Sequence, residues 1–202
     1  MYIIGIDEVG RGPIAGPVVV CACAKKNEAS FLAFYPRGIL RDSKKLSEKQ
    51  RTYILEKIQP SIIAKDLIFG VGESSAEYID AHGIVPAIKE AMRLALESLH
   101  NQGVPQSSHI ILDGALHAPG GYTQETVIKG DEKVEEISLA SIYAKEYRDD
   151  IMRQFAEQYS EYGFESHVGY GTEAHYKALK SKGLSELHRK TFLKNFINEI
   201  KQ

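Results

Sequence analysis

Two rhythms of apolar and polar positions run along this chain. Short β-branched or alternating runs, closed by glycine, proline or charge, predict strands over Tyr2–Ile6, Pro17–Ala24, Ile62–Gly70 and His109–Leu112. A weaker run predicts a fifth strand over Glu125–Lys129. Longer stretches carry a helical stripe. Ser47-Glu48-Lys49-Gln50 has capping-box form ahead of Tyr53, Ile54 and Ile58. Apolar residues recur at helical spacing from Pro86 to His100 and from Ile137 to Tyr159. Further helices are predicted near Thr172–Ser181 and Ser185–Ile200, with a short one near Ala76–Asp80. The order of elements predicts an α/β fold, a mixed five-stranded sheet flanked by helices, with a helical carboxyl-terminal extension. The predicted division is a catalytic domain over 1–160 and an extension over 161–202 packed on it.

Composition narrows the class. At 202 residues the chain suits one domain with a proper core, and 43% hydrophobic with 26% charged residues is ordinary for a globular protein. No apolar run approaches the roughly 20 residues of a membrane span, and no signal peptide is visible. Cys21 and Cys23 are the only cysteines. Two apart on a strand, they share a face as small core residues, where a disulfide would be strained and a zinc site would lack partners. A reducing, cytoplasmic setting is expected.

The formal charge of −2 gives no general affinity for nucleic acid, but it is unevenly spread. From Gly163 onward seven Lys/Arg face four acids, so that end is +3 and the rest −5. A basic end beside an acidic remainder fits a nuclease whose acids hold metal, and equally a solvated helical surface.

The candidate chemistry lies in acids at strand ends. Asp7 and Glu8 follow Ile6, Asp113 follows Ile110-Ile111-Leu112, and Asp131 follows Val127-Ile128-Lys129-Gly130. Open α/β sheets place ligand sites at the exits of their strands. Each acid also has a plainer reading: Asp113-Gly114 as a turn, Asp131 as a helix-start residue, Asp7-Glu8 as a solvated turn. On a regular strand Asp7 and Glu8 would point to opposite faces, so their convergence requires the strand to end or bend near Gly10, Gly12 and Pro13. Gathered carboxylates repel one another unless a cation sits between them, and Mg²⁺ or Mn²⁺ prefers oxygen ligands of this kind. Neither a nucleophile elbow nor a phosphate-binding P-loop is present in the sequence.

Six segments, in order along nearly the whole chain, resemble the ribonuclease HII (type 2 ribonuclease H) family. They are Gly5-Ile6-Asp7-Glu8-Val9-Gly10-Arg11-Gly12-Pro13, Asp42-Ser43-Lys44-Lys45-Leu46-Ser47, Leu112-Asp113-Gly114, Lys129-Gly130-Asp131, Ala140-Ser141-Ile142-Tyr143-Ala144-Lys145 and His167-Val168-Gly169-Tyr170-Gly171-Thr172. The resemblance implies an RNase H-like fold and cleavage of RNA in RNA–DNA hybrids, including incision 5′ of ribonucleotides embedded in duplex DNA. It implies two-metal-ion hydrolysis with Mg²⁺ or Mn²⁺, leaving 3′-hydroxyl and 5′-phosphate ends, with Asp7, Glu8, Asp113 and Asp131 as the metal-binding catalytic acids. Asp7 would bridge the two ions, and Asp131 would be the most mobile acid. Gly10-Arg11-Gly12 matches the segment that reads the RNA-to-DNA junction, and Tyr170 the tyrosine that packs on the following sugar.

Ser43, Lys44 and Lys45 are expected at phosphates, and Lys145 near the cleaved phosphate or exposed on its helix. His167 and His175 are expected to be structural or phosphate contacts rather than metal ligands. Val168 stands where the family usually has lysine. Glu132, Glu135 and Glu136 are expected to add negative charge beside Asp131. The chain opens on its first strand, so no extended amino-terminal domain of the type 3 enzymes is expected, and no sliding-clamp motif is seen at the carboxyl end. The expected protein is a monomer acting on hybrid and ribonucleotide-containing duplex, with no membrane association. Rival readings are a resolvase or integrase on the same fold, or a non-catalytic hybrid-binding module.

Overall fold

The computed structural model describes residues 2–26, 30–38, 40, 43–114 and 117–199. Asp42, part of one of the six matching segments, lies outside them. Five strands, β1 (Tyr2–Val9), β2 (Val18–Lys26), β3 (Leu67–Ser74), β4 (His109–Asp113) and β5 (Gln124–Val127), form one sheet in the order β3-β2-β1-β4-β5. The β1–β2 and β2–β3 pairs are antiparallel, and β1–β4 and β4–β5 are parallel, which makes the predicted mixed sheet. The helices are α1 (Glu48–Ile63), α2 (Ala76–His82), α3 (Ile84–Asn101), α4 (Glu135–Gln158), α5 (Phe164–His167), α6 (Glu173–Lys182) and α7 (Lys194–Glu199). None of the described helices is long and apolar enough to cross a membrane.

Both faces of the sheet are covered, so its central strands read as near-continuous apolar runs. Alternate residues of β1 and β2 (Ile4, Ile6, Val18, Val20, Ala22, Ala24) pack under α3 through Ala87, Ile88, Ala91, Met92, Ala95 and Leu99. The other set (Val9, Val19, Cys21, Cys23) packs under α1 and α4 through Ile54, Ile58, Leu139, Ala140 and Ile142. Both cysteines are free and buried, as their spacing predicted. α4 comes down onto β1 at Gly5, where an added Cβ would stand 2.3 Å from the Glu136 backbone, so only glycine allows that approach. This contact sets the helix against the central strand.

A third cluster, Ile14, Ala15, Met152, Tyr162, Phe164, Leu179, Leu193 and Phe196, joins the carboxyl-terminal helices to the loop after β1 and to the end of α4. The chain after α4 therefore reaches the segment that follows Asp7 and Glu8.

Two predicted elements differ. Ile62 and Ile63 close α1 rather than open β3, because the Ser47 capping box is present in full and commits the run to a helix. The chain then turns at Lys65, with φ 58°, and the strand starts at Leu67. Among the described residues the last helix covers Lys194–Glu199, leaving Ser185–Leu193 of the predicted run outside it. In the stretch before it the Arg189 amide donates to Ile14 O at 2.8 Å, and Ser185 donates to the His188 ring at 3.0 Å. Tertiary hydrogen bonds there replace the helical ladder.

Candidate active site

The parallel β1–β4 ladder ends at Ile6 opposite Leu112, so Asp7 and Asp113 each stand one residue past the last pair, at the same end of adjacent strands. β1 continues against β2 through Val9. The strand ends at Val9, directly ahead of Gly10, with no bend between Asp7 and Glu8, which take opposite faces. The Asp7 side chain turns toward α4, where it hydrogen-bonds with Ser141. Glu8 looks toward α3, into a cavity of about 330 Å³ whose lining includes Arg11, Ile88, Lys89, Met92 and Asp113.

The carboxylates meet electrostatically across the end of the sheet. Burial, then the neighbouring Glu8 charge, push the Asp7 carboxyl up to about 8, with a smaller push from Asp113. Glu8 is also raised, chiefly by burial; Arg11 and Lys44 lower it and Asp113 raises it. Asp113 Oδ1 accepts the Gly130 amide at 2.6 Å, which ties the β5–α4 turn bearing Asp131 to the end of β4. Asp131 itself sits on the short 3₁₀ turn Gly130–Glu132.

Three of the four predicted acids are thus electrostatic neighbours, and the fourth is tethered one residue away from an Asp113 contact. As the side chains stand, no group of three or more His, Cys, Asp or Glu among the described residues is gathered tightly enough to hold a metal ion. The donor set nevertheless fits a hard dication. It is all oxygen, and Asp7 and Glu8, raised first by burial, are raised further by neighbouring carboxylates whose repulsion a dication would relieve.

Around the acids the predicted basic residues divide. Arg11 is 60% exposed and lies 3.5 Å from Glu8. Lys44 is exposed and near enough to Glu8 to lower its pKa. Lys45 pairs with Glu132. Ser43 is buried, and its hydroxyl accepts from Ser141 at 2.8 Å, so its side chain supports Asp7 through Ser141 instead of facing phosphate. Lys145 is half-buried in an ion pair with Asp149.

The expected acidic patch beside Asp131 is partly offset by two lysines. Glu132 is held by Lys45, and Glu135 and Glu136 by Lys25 at 2.8 and 3.1 Å. Lys25 and Glu136 are themselves buried, and burial of such charges demands pairing.

Gly10 adopts φ 84°, and a Cβ there would stand 2.3 Å from Arg148 Nε, so the loop accepts only glycine at that point. Arg148, which the sequence did not single out, is buried and donates to the carbonyls of Pro17 at 2.9 Å, Val168 at 2.9 Å and Ala15 at 3.1 Å. Val168 takes the left-handed conformation at φ 43°, unusual for a β-branched residue, and its carbonyl is the one Arg148 holds. Tyr170 is 42% exposed, and its ring lies beside Gly12, where a built Cβ would be 3.9 Å away. The Gly10–Gly12 loop and Tyr170 therefore share one surface.

His167 and His175 are buried and hydrogen-bonded within the protein. His167 Nε2 reaches Tyr162 O at 2.8 Å and His175 Nδ1 reaches Tyr170 O at 2.9 Å.

The family model described as Ribonuclease HII matches residues 4–196. A Ribonuclease HII of Chlamydia abortus is 43% identical over 190 residues, covering 94% of this chain and 83% of its own. Among solved structures, the ribonuclease H2 of Pyrococcus horikoshii gives a TM-score of 0.75 at 23% identity, covering 100% of both chains. Bst-RNase HIII in complex with Mn²⁺ gives 0.68 at 20% identity, covering 100% of this chain and 70% of that one. Likeness at those identities bears on the fold, and the family rests on the first two findings. With a matching model over nearly its full length, and acids at the mouth of its central strand, the chain belongs to the ribonuclease HII family and is a nuclease.

Proposed function

We propose that this protein hydrolyses RNA in RNA–DNA hybrids and incises 5′ of single ribonucleotides in duplex DNA, with Mg²⁺ or Mn²⁺, leaving 3′-hydroxyl and 5′-phosphate ends. The observation that carries the reading is Asp7: a buried carboxyl pushed up to about 8 beside two further acids, at the exit of the central strand. A dication held there would displace the carboxyl proton and stabilise the charged form.

Asp7, Glu8 and Asp113 would hold the metal, with Asp131 closing in from its turn. When bound, paired divalent ions would supply an activated water and charge stabilisation for the departing 3′-oxygen of the preceding nucleotide. Ser141 orients Asp7, and the Gly130 amide orients Asp113. Arg11, exposed beside Glu8, offers a planar donor fork to a phosphodiester. Gly12, exposed beside Arg11, leaves bare backbone for the ribose 2′-hydroxyl, the group that separates RNA from DNA. Tyr170 beside Gly12 supplies a flat apolar wall for the next sugar, against which a further hydroxyl fits poorly. The extension after α4 contributes Tyr170 to this surface, in keeping with a substrate-binding role for 161–202.

The test compares an all-DNA duplex with the same duplex carrying one ribonucleotide, with and without Mn²⁺. Metal-dependent incision of the second alone is expected. Equal cleavage of both, or none of either, would overturn the reading.

A further inference from the structure

Adjacent buried residues near the carboxyl end, His188 and Arg189, each lead to one of the two elements assigned to the ribose. Arg189 has no accessible surface. Its Nη2 donates to Gly10 O at 2.6 Å and Gly16 O at 2.8 Å, its Nε to Gly16 O at 3.0 Å, and its Nη1 to Arg11 O at 3.1 Å. A trans peptide points its carbonyl and the following amide in opposite directions. With the Gly10 and Arg11 carbonyls drawn to Arg189, the amides of Arg11 and Gly12 point away from it. Neither amide meets an acceptor among the described residues.

His188 is equally buried. The Ser185 amide can only donate, so His188 Nδ1, 3.0 Å away, accepts, and its proton sits on Nε2. That proton faces His175 Nε2 at 3.0 Å, so His175 carries its own on Nδ1 and donates to Tyr170 O at 2.9 Å. One arrangement satisfies the chain, with both rings neutral. Burial keeps them so, holding each at about 4. A hydrogen-bonded line thus runs from Ser185 through two imidazoles to the Tyr170 backbone.

We propose that His188 and Arg189 are positioning residues for ribose discrimination: Arg189 aims the Arg11 and Gly12 amides at the sugar, and His188, through His175, fixes Tyr170 opposite them. Neither touches substrate. The inference rests on the reading of the site given above. Because the two residues are consecutive, any shift of one moves the other, and the loop and the tyrosine keep a common spacing.

The experiment measures kcat/KM on a duplex with one ribonucleotide and on a continuous hybrid of the same sequence, and takes their ratio. Arg189→Lys keeps the charge and loses the fork; His188→Leu cuts the line; His188→Gln keeps a donor near the Nε2 position. The ratio should fall about tenfold in the first two and stay within about threefold of the parent in the third. An unchanged ratio in folded variants overturns the proposal, as does a His188→Gln ratio as low as that of His188→Leu, which would mark simple packing. Hydrogen exchange on the unmodified protein needs no variant to fold: the Arg189 Nε and His188 Nε2 protons should be strongly protected, and free exchange of both overturns the proposal. If the unmodified enzyme itself fails to incise at the ribonucleotide, the reading of the site fails instead.

Discussion

Ser141 on α4 and Ser43 on the turn before α1 join their hydroxyls at 2.8 Å, and Ser141 also bonds with Asp7. Two segments far apart in sequence thereby fix the orientation of the innermost carboxylate. Ser141→Ala should leave the fold intact and lower catalytic rate or metal affinity by roughly 10–100-fold, the usual cost of losing a group that orients a metal ligand. Steady-state kinetics across a Mn²⁺ titration checks this, and parent-like values at all concentrations would contradict it.

Arg11 is mostly exposed, so its removal should change stability by no more than about 0.5 kcal/mol. Its expected work is at the junction. Arg11→Ala should reduce incision at a single ribonucleotide more than cleavage of a long hybrid, where many registers are productive. Equal losses on both substrates would count against junction reading.

Metal binding should expel a proton. With its carboxyl at about 8, Asp7 is largely protonated at pH 7 in the metal-free protein, and a dication favours the ionised form. Calorimetric titration with Mn²⁺ in two buffers of different ionisation enthalpy should report release of about one proton. Asp7→Asn should abolish that buffer dependence. Identical heats in both buffers for the parent protein would contradict the account.

The buried imidazoles make stability sensitive to acid. His175 and His188 are lowered from 6.5 to about 4, so between those values the unfolded chain binds more protons than the native one. Their contribution is complete above pH 6.5 and is lost as pH falls toward 4. Asp7, raised from 3.8 to about 8, works in the opposite sense and gains stability as pH falls. Glu8, also raised, works as Asp7 does, so urea midpoints in an Asp7→Asn, Glu8→Gln background expose the histidines: stability should drop from pH 7 to pH 4.5, and a flat profile would contradict the assignment.

Asp7 and Asp113 were legible because an apolar run stops at each, and both lie one residue past the last β1–β4 pair, although β1 itself runs on to Val9 and Asp7 stays buried. The placement of Glu8 was not. Alternation along β1 put it on the other face, and the two acids meet across the end of the sheet through charge and not by a bend in the strand. Glu132, Glu135 and Glu136 read as bare negative charge, but Lys45 and Lys25, about 90 and 110 positions away in sequence, pair with all three and offset most of it. No local pattern carries such a pairing. Arg148 and Arg189 were hidden for a related reason. A single arginine in a helix or a basic tail looks solvated, and only the fold reveals carbonyls converging on it. Ser141 had a signal, its place in one of the matching segments, and its role emerged only once α4 lay against β1. The final helix was over-extended because Ser185–Leu193 has helical composition while its donors serve the loop after β1.

The account stands on the acids closing around metal when substrate arrives. Anomalous diffraction from crystals of an inactive variant, loaded with Mn²⁺ and a duplex bearing one ribonucleotide, measures this most directly. Two peaks roughly 3.5–4 Å apart, both within bonding reach of the residue 7 side chain, are expected. Density lacking any such pair, with the side chains of residues 8 and 113 still pointing away from a common centre, would contradict it.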